Sequence, residues 1–465
     1  MSQELAFFGG EPVRKKAFPK LPPIGPEEKK AVNEVLDSNV LSAFAASWSD
    51  RFYGGPRVQR LEREWEKCFQ VKYAVAMNSA TSCLQAAVAA AGVGPGDEVI
   101  VTPYSMIASA TCVFITGAVP VFADIDERTL CITAKTIRPC ITPRTKAIII
   151  VQLFGHTEDM DAVMALAKEF NLVVIEDAAQ SLAGTFKGQL SGTFGHMGVY
   201  SLNVHKTISS GEGGIVVTRD QRYAERLQLF RNHGDAVMRA KGTQNLVNTV
   251  GFNMRMCEIE AAIAFEQLKK LETLTVPRIE AANFLNVHLS RFPGIIVPYT
   301  CPEVRHVYYN YGLKIDADKL GLSREILVQA LFAEGVPFLC GFFDPIYHEP
   351  IFQEKIVWGN KGFPWSCKTY GDVDRDYPIG LCPTVERIEG QELIYNNLCR
   401  AGMTRRDLQD IVDAFDKVIA NKAKLKTSPS GNRFCCGKQR CGRPKNLTGE
   451  QAKVITIHEM QKTHS

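Results

Sequence analysis

The chain has no long apolar run. Its most hydrophobic stretches, such as AIIIVQLF, are far too short to cross a bilayer, so a transmembrane protein is not expected. A secretory leader is not expected either, because Met1 to Phe18 is interrupted by Glu4, Gly9, Glu11 and Arg14 to Lys16. There is no internal repeat, and the net charge of +4 over 465 residues is small. That charge is unevenly spread: Asn421 to Ser465 carries ten Lys/Arg against two Asp/Glu, which leaves a mildly acidic body. Nothing in such a body calls for nucleic acid as the main partner. Paired C-x-x-C spacing is also absent, and the fourteen cysteines are scattered. Without export they read as free thiols, and a cytoplasmic protein is expected.

What is present is length enough for about two or three domains, each burying its own core. From Glu27 to Asp220 helical and strand patterns alternate. EEKKAVNEVLDS and RVQRLEREWEKCFQ space their apolar residues for helices, and YAVAM follows as a strand. TSCLQAAVAAAG then reads as helix, DEVIVT as strand and SMIASATCVFITG as helix. VPVFADI, KAIIIVQLFG, the helix EDMDAVMALAKEF and the strand LVVIED complete the run. Near-continuous apolar strands between helices predict a mostly parallel sheet covered on both faces. Active sites of such sheets lie at the carboxyl ends of the strands.

The stretch MCEIEAAIAFEQLKKLETLTVPRIEAANFLNVHLSRF reads as long helix, with Pro277 marking a kink or boundary. After it, HVYYNYGLKI, SREILVQALFAEG, VPFLCGFF and TRRDLQDIVDAFDKVIANKAK predict a smaller α+β domain. The expected division is a large domain over 1–270 with the N-terminal segment, a small domain over 271–426 and a basic tail over 427–465. That tail lacks periodicity and is expected to be disordered. Its Cys435, Cys436 and Cys441 lack an evident fourth partner, so no metal site is predicted.

Four signals fall at predicted strand ends. In AVAMNSATSCLQAAV, Ser79, Ala80, Thr81 and Ser82 open a helix whose free N–H groups suit a phosphate, although ordinary N-capping explains the same residues. In VVIEDAAQS, Asp177 ends a buried strand with Gln180 just beyond. It reads either as a cap or as a carboxylate holding a proton on a heterocyclic nitrogen. In SLNVHKTISSGEGG, Lys206 follows Ser201 and Asn203 and precedes a glycine-rich turn that lets backbone approach a ligand. A solvated charge is the commonest fate of a lysine, but one in a partly dry site can lose its proton and form a Schiff base. In GFNMRMCEIEAAIAFEQL, Asn253 and Arg255 precede a helix, which ordinary loop polarity also explains.

Taken together and in this order, these stretches resemble the DegT/DnrJ/EryC1/StrS family of pyridoxal phosphate-dependent sugar aminotransferases. GGPRVQRLE, GVGPGDEVIVTPYS and ITPRTKAIIIVQLFGHTEDMDAV extend the resemblance over about nine-tenths of the chain. It implies a fold type I aminotransferase, usually a homodimer, with pyridoxal 5'-phosphate as cofactor. Lys206 matches the Schiff-base lysine, Asp177 the carboxylate facing the pyridine nitrogen and Gln180 the amide near the ring hydroxyl. Ala80, Thr81 and Ser201 match phosphate positions, and Asn253 one that reaches the phosphate from the neighbouring subunit.

Lysine at 206, where some relatives have histidine and deoxygenate sugars, favours transamination. The implied reaction moves an amino group from glutamate or glutamine to a keto-sugar or cyclitol ketone. A sugar dehydratase, or a non-catalytic binding protein retaining the fold, are the competing readings. Three positions depart from the family. Met106 stands where an aromatic residue often stacks on the cofactor, with Tyr104 as an alternative. Ala80 replaces a glycine, so a reshaped phosphate turn is expected. Tyr347 stands where many relatives have histidine, and that variant together with GGEPVR and FPKLPPIGPEE leans the resemblance towards the branch that aminates cyclitol ketones.

Overall fold

A computed structural model describes residues 4–20, 24–242 and 249–426; the predicted tail over 427–465 lies outside the described residues. The elements that position the site are strands β1 (Tyr73–Met77), β2 (Glu98–Val101), β3 (Val119–Phe122), β4 (Thr145–Val151), β5 (Val173–Asp177), β6 (Met197–Ser201) and β7 (Gly214–Thr218). They form one seven-stranded sheet in the order β1-β7-β6-β5-β4-β2-β3. Only β7 runs antiparallel to its neighbours β1 and β6. The apolar runs that predicted parallel strands are buried on both faces; Ile148, Ile149 and Ile150 of β4 are fully inaccessible.

Helices cover the sheet. Helix α1 (Pro26–Ser38) and α2 (Pro56–Phe69) precede it, α3 (Ala80–Ala90) links β1 to β2, and α4 (Met160–Glu169) links β4 to β5. Within α2, Val58, Leu61, Trp65 and Phe69 recur at helical spacing, and all four are buried. The predicted helix SMIASATCVFITG forms only as a short α turn, Ala108–Thr111, followed by a 3₁₀ turn over Cys112–Thr116.

Of the two readings of Pro277, kink or boundary, the boundary falls elsewhere. Helices α5 (Glu258–Lys269) and α6 (Leu271–Leu289) meet at Lys270, while Pro277 lies inside α6. Lys270 is tied by its Nζ to Glu28 Oε1 at 2.6 Å and Glu27 Oε2 at 3.1 Å, anchoring the junction to the start of α1.

A second, four-stranded antiparallel sheet contains β8 (Ile295–Ile296), β9 (Tyr311–Ile315), β10 (Leu339–Cys340) and β11 (Leu393–Asn396) in the order β8-β9-β11-β10. Helices Arg324–Ala333 and Arg405–Ala420 pack on it. The two cores interleave along the chain: Leu5 belongs to the second core, whereas Tyr347, Phe352 and Trp365 belong to the first. Arg14, nearly buried, fastens the N-terminal segment to Asp407 and Asp410 at 2.8 Å each. Among the described residues no helix is long and apolar enough to cross a membrane.

Candidate active site

The sheet order brings the carboxyl ends of β1, β6 and β5 to one edge, since only β7 separates β1 from β6. At the end of β1, Ser79 is extended (φ −166°) and caps α3 by accepting the Ser82 N–H at 3.1 Å. The capping reading is thus correct for Ser79, and it leaves the first helical residues, Ala80 and Thr81, half-buried at the helix start. Ala80 lies within the helix and outside the positive-φ residues, so alanine is unstrained there. The start of β7 lies against this helix end. A Cβ on Gly214 would stand 2.5 Å from the Ala80 nitrogen, so only glycine permits the approach.

The segment after β6 folds back on itself. Leu202 N–H donates to the Gly213 carbonyl and Val204 N–H to the Gly211 carbonyl, both at 2.9 Å. Lys206 N–H donates to the Asn203 carbonyl at 2.9 Å, and the Asn203 amide spans to Glu212 Oε1 at 3.1 Å. Gly211 and Gly213 take positive φ, +91° and +138°, which makes this return possible. The lysine therefore sits on a tight loop held by backbone bonds. Ser201, buried at the end of β6, accepts the Asn203 N–H at 3.3 Å.

Lys206 is half-buried, and its Nζ stands 4.6 Å from the centre of the Tyr309 ring. Tyr309 is held by an over-determined segment. Its neighbour Tyr308 has φ +47°, an uncommon value for a bulky side chain. The Tyr308 N–H donates to His306 Nδ1 at 2.9 Å, and those two rings stack at 3.9 Å. Buried Arg278 donates to the carbonyls of Tyr308 and Tyr309, each at 3.2 Å. Backbone strain kept by its surroundings is characteristic of functional sites.

Asp177 ends β5 and is buried. No helix begins there, which removes the helix-cap reading. Its Oδ2 accepts the Ser109 hydroxyl at 2.8 Å and its Oδ1 the Ala179 N–H at 3.2 Å. Burial pushes the carboxyl above its ordinary range; the Ser109 bond, the Ala179 N–H and the Lys206 charge oppose that rise. Gln180, also buried, accepts the Phe154 N–H at 2.9 Å.

Met106 is 49% exposed, its sulfur accepting the Ala108 N–H at 3.0 Å. Tyr104 is fully buried, its hydroxyl donating to Glu389 Oε2 at 2.6 Å, which removes it as the stacking alternative. Tyr347 is equally inaccessible and donates to Glu386, so it reaches no open site. Asn253 is exposed, with its backbone bridged to Asn232. Sequence reasoning missed Ser109 and Tyr309. Both meet the predicted residues from distant parts of the chain, and only the aromatic density of HVYYNY hinted at the second.

A buried carboxylate, a half-buried lysine under charge coupling to it, and a helix start cradled by glycine fit pyridoxal phosphate. Enzymes of fold type I share this frame, and the chain is one of them, a pyridoxal phosphate-dependent aminotransferase. It belongs to the DegT/DnrJ/EryC1/StrS aminotransferase family, whose model matches residues 23–373. The chain is similar to the spore coat polysaccharide biosynthesis protein SpsC of Bacillus subtilis, 34% identical over 80% of this chain and 94% of that protein. A putative L-glutamine:3-amino-2,3-dideoxy-scyllo-inosose aminotransferase of Streptomyces kanamyceticus is 31% identical over 91% of this chain and 99% of its own length. The solved aminotransferase of Psychrobacter cryohalolentis superposes with a TM-score of 0.74 at 30% identity, covering 87% of this chain and all of that one.

Proposed function

We propose that the chain moves an amino group from glutamate or glutamine to the ketone of a sugar or cyclitol, as a cytoplasmic homodimer. The observation that carries this reading is the gathering of the half-buried Lys206, the buried Asp177 and the glycine-cradled start of α3 at the carboxyl ends of β6, β5 and β1. Bound pyridoxal phosphate supplies a ring that accepts an electron pair from a substrate carbon. Ala80, Thr81 and Ser201, with Asn253 of the partner subunit, would hold its phosphate; Gln180 and Met106 would bound its ring. Asp177 keeps a proton on the ring nitrogen, and its hydrogen bonds from Ser109 and Ala179 favour the ionised state that this needs. Lys206 takes a proton from the donor's α-carbon as general base and returns one as general acid when the ketone is aminated. The donor departs as a keto acid before the ketone enters, so the kinetics are ping-pong.

The cyclitol lean is supported by the name of the Streptomyces kanamyceticus relative; Tyr347, being buried, adds nothing to it. The test is borohydride reduction of the cofactor-loaded protein followed by peptide mass analysis, with turnover of Lys206→Ala measured on a panel of inososes and keto-sugars. Label on the Lys206 peptide and loss of turnover are expected. An unlabelled peptide, or turnover surviving in the variant, overturns the reading.

A further inference from the structure

Among the described residues, one group of metal-ligating side chains lies outside the residues assigned above: the Cys131 thiol, the His156 imidazole and the Glu158 carboxylate, whose ligand atoms all lie within 4.8 Å of one another. We infer that these three residues form a binding site for a zinc-type divalent cation.

All three residues are buried, with 1%, 2% and 6% of their surface exposed. The decisive feature is His156. Neither of its ring nitrogens has a hydrogen-bond partner, although the ring is almost wholly enclosed. Buried polar atoms without partners are rare, and an ion is one of the few things that accounts for them. The chemistry of the set selects the ion. A thiolate and an imidazole favour zinc over magnesium or calcium, which take oxygen ligands. One thiolate, one carboxylate and one neutral imidazole around a divalent ion sum to zero charge, so the assembled site carries no net charge into the dry interior.

The ligands come from two separate loops, and both are held firmly. Cys131 lies on a loop closed by the Asp126 N–H donating to the Cys131 carbonyl at 2.8 Å, and the preceding Leu130 has φ +61°. His156 follows the turn after β4, in which Phe154 has φ +55°. Non-glycine residues in this region cost energy and persist where the surroundings fix them. Glu158 is oriented by the Thr129 hydroxyl, which donates to its Oε2 at 3.0 Å, and by its own N–H donating to Gln152 Oε1 at 2.8 Å. Such outer partners are what metal ligands ordinarily have.

Zinc bonds of about 2.0–2.3 Å place tetrahedral ligand atoms roughly 3.3–3.8 Å apart, so from atoms within 4.8 Å of one another closure requires a contraction of at most about 1–1.5 Å. A cavity of about 370 Å³, lined among others by Thr129, Leu130, Leu153, Phe154 and His306, lies beside the ligand loops. Binding releases the Cys131 thiol proton, and any proton on Glu158, to solvent; no electron moves. The ion would fasten the loop before Cys131 to the turn whose Phe154 N–H meets Gln180 Oε1 at 2.9 Å. It would thereby stiffen that edge of the cofactor site, although the inference does not depend on the cofactor's presence.

The full-length protein, stripped with chelator and incubated with one equivalent of zinc, should retain it through dialysis as measured by plasma mass spectrometry. Cys131→Ala, His156→Ala and the near-isosteric Glu158→Gln should each weaken retention at least tenfold. X-ray absorption at the zinc edge of the wild-type protein should report one sulfur with nitrogen and oxygen neighbours, and this reading needs no variant to fold. Retention unchanged in all three variants, no retention at all, or an all-sulfur shell pointing to Cys435, Cys436 and Cys441 overturns the inference.

Discussion

Ser109→Ala isolates the role of Asp177 without touching that residue. The hydroxyl stands 2.8 Å from Asp177 Oδ2 and favours the ionised carboxylate against a burial that disfavours it. A hydrogen bond to a charged group contributes about 1.5–3 kcal/mol, which corresponds to roughly 10- to 150-fold in an equilibrium. Removing the bond raises the Asp177 pKa further, so the ionised form is lost at a higher pH than in the wild type. The acid limb of the pH–rate profile should move towards neutrality, and kcat/KM on that limb should fall by about tenfold or more relative to the wild type at the same pH. Ser105 tempers the effect, because its hydroxyl lies 3.2 Å from that of Ser109 and could turn to the carboxylate. The Ser105→Ala, Ser109→Ala double variant should therefore show the larger displacement of the two. Steady-state rates from pH 5 to 9 read the effect directly. Profiles of the double variant that superimpose on the wild type would refute the claim that this hydroxyl governs the carboxylate.

Three further outcomes follow from distances in the same region. Tyr309→Leu removes the ring 4.6 Å from Lys206 Nζ; a cation–π contact contributes about 0.5–2 kcal/mol to the free ammonium of the unloaded protein, so cofactor loading followed by absorbance should shift about two- to thirtyfold towards the loaded form, while Tyr309→Phe keeps most of the contact and should not shift it. Gly214→Ala drives a Cβ to 2.5 Å from the Ala80 nitrogen, and pyridoxal phosphate affinity measured by equilibrium dialysis should drop at least tenfold as the helix start is displaced. Tyr104→Phe deletes a buried bond to Glu389 and should cost about 1–3 kcal/mol in urea unfolding, with cofactor loading unchanged; a loading defect at constant stability would return Tyr104 to the cofactor site.

The main-chain frame was legible because its signals are local. Apolar strands of five to seven residues such as Thr145–Val151 and Val173–Asp177 announce themselves by composition, and the strand-end polar residues are read from position alone. Local reading failed where a decision belonged to a distant partner. The helix break falls at Lys270, whose ammonium is held by Glu27 and Glu28 more than two hundred residues earlier, and the proline that local rules favoured lies inside the helix. Tyr104 looked as available as Met106 until its hydroxyl was claimed by Glu389, 285 positions away. The same distinction divides the site. Lys206 is legible from its loop, yet the ring over it arrives from Tyr309, and the hydroxyl on Asp177 arrives from Ser109. A residue type at a strand end thus names the chemistry a site can attempt. The partners that hold a lysine against one ring and keep a buried acid charged decide whether it succeeds, and they are set by tertiary packing that no short window contains.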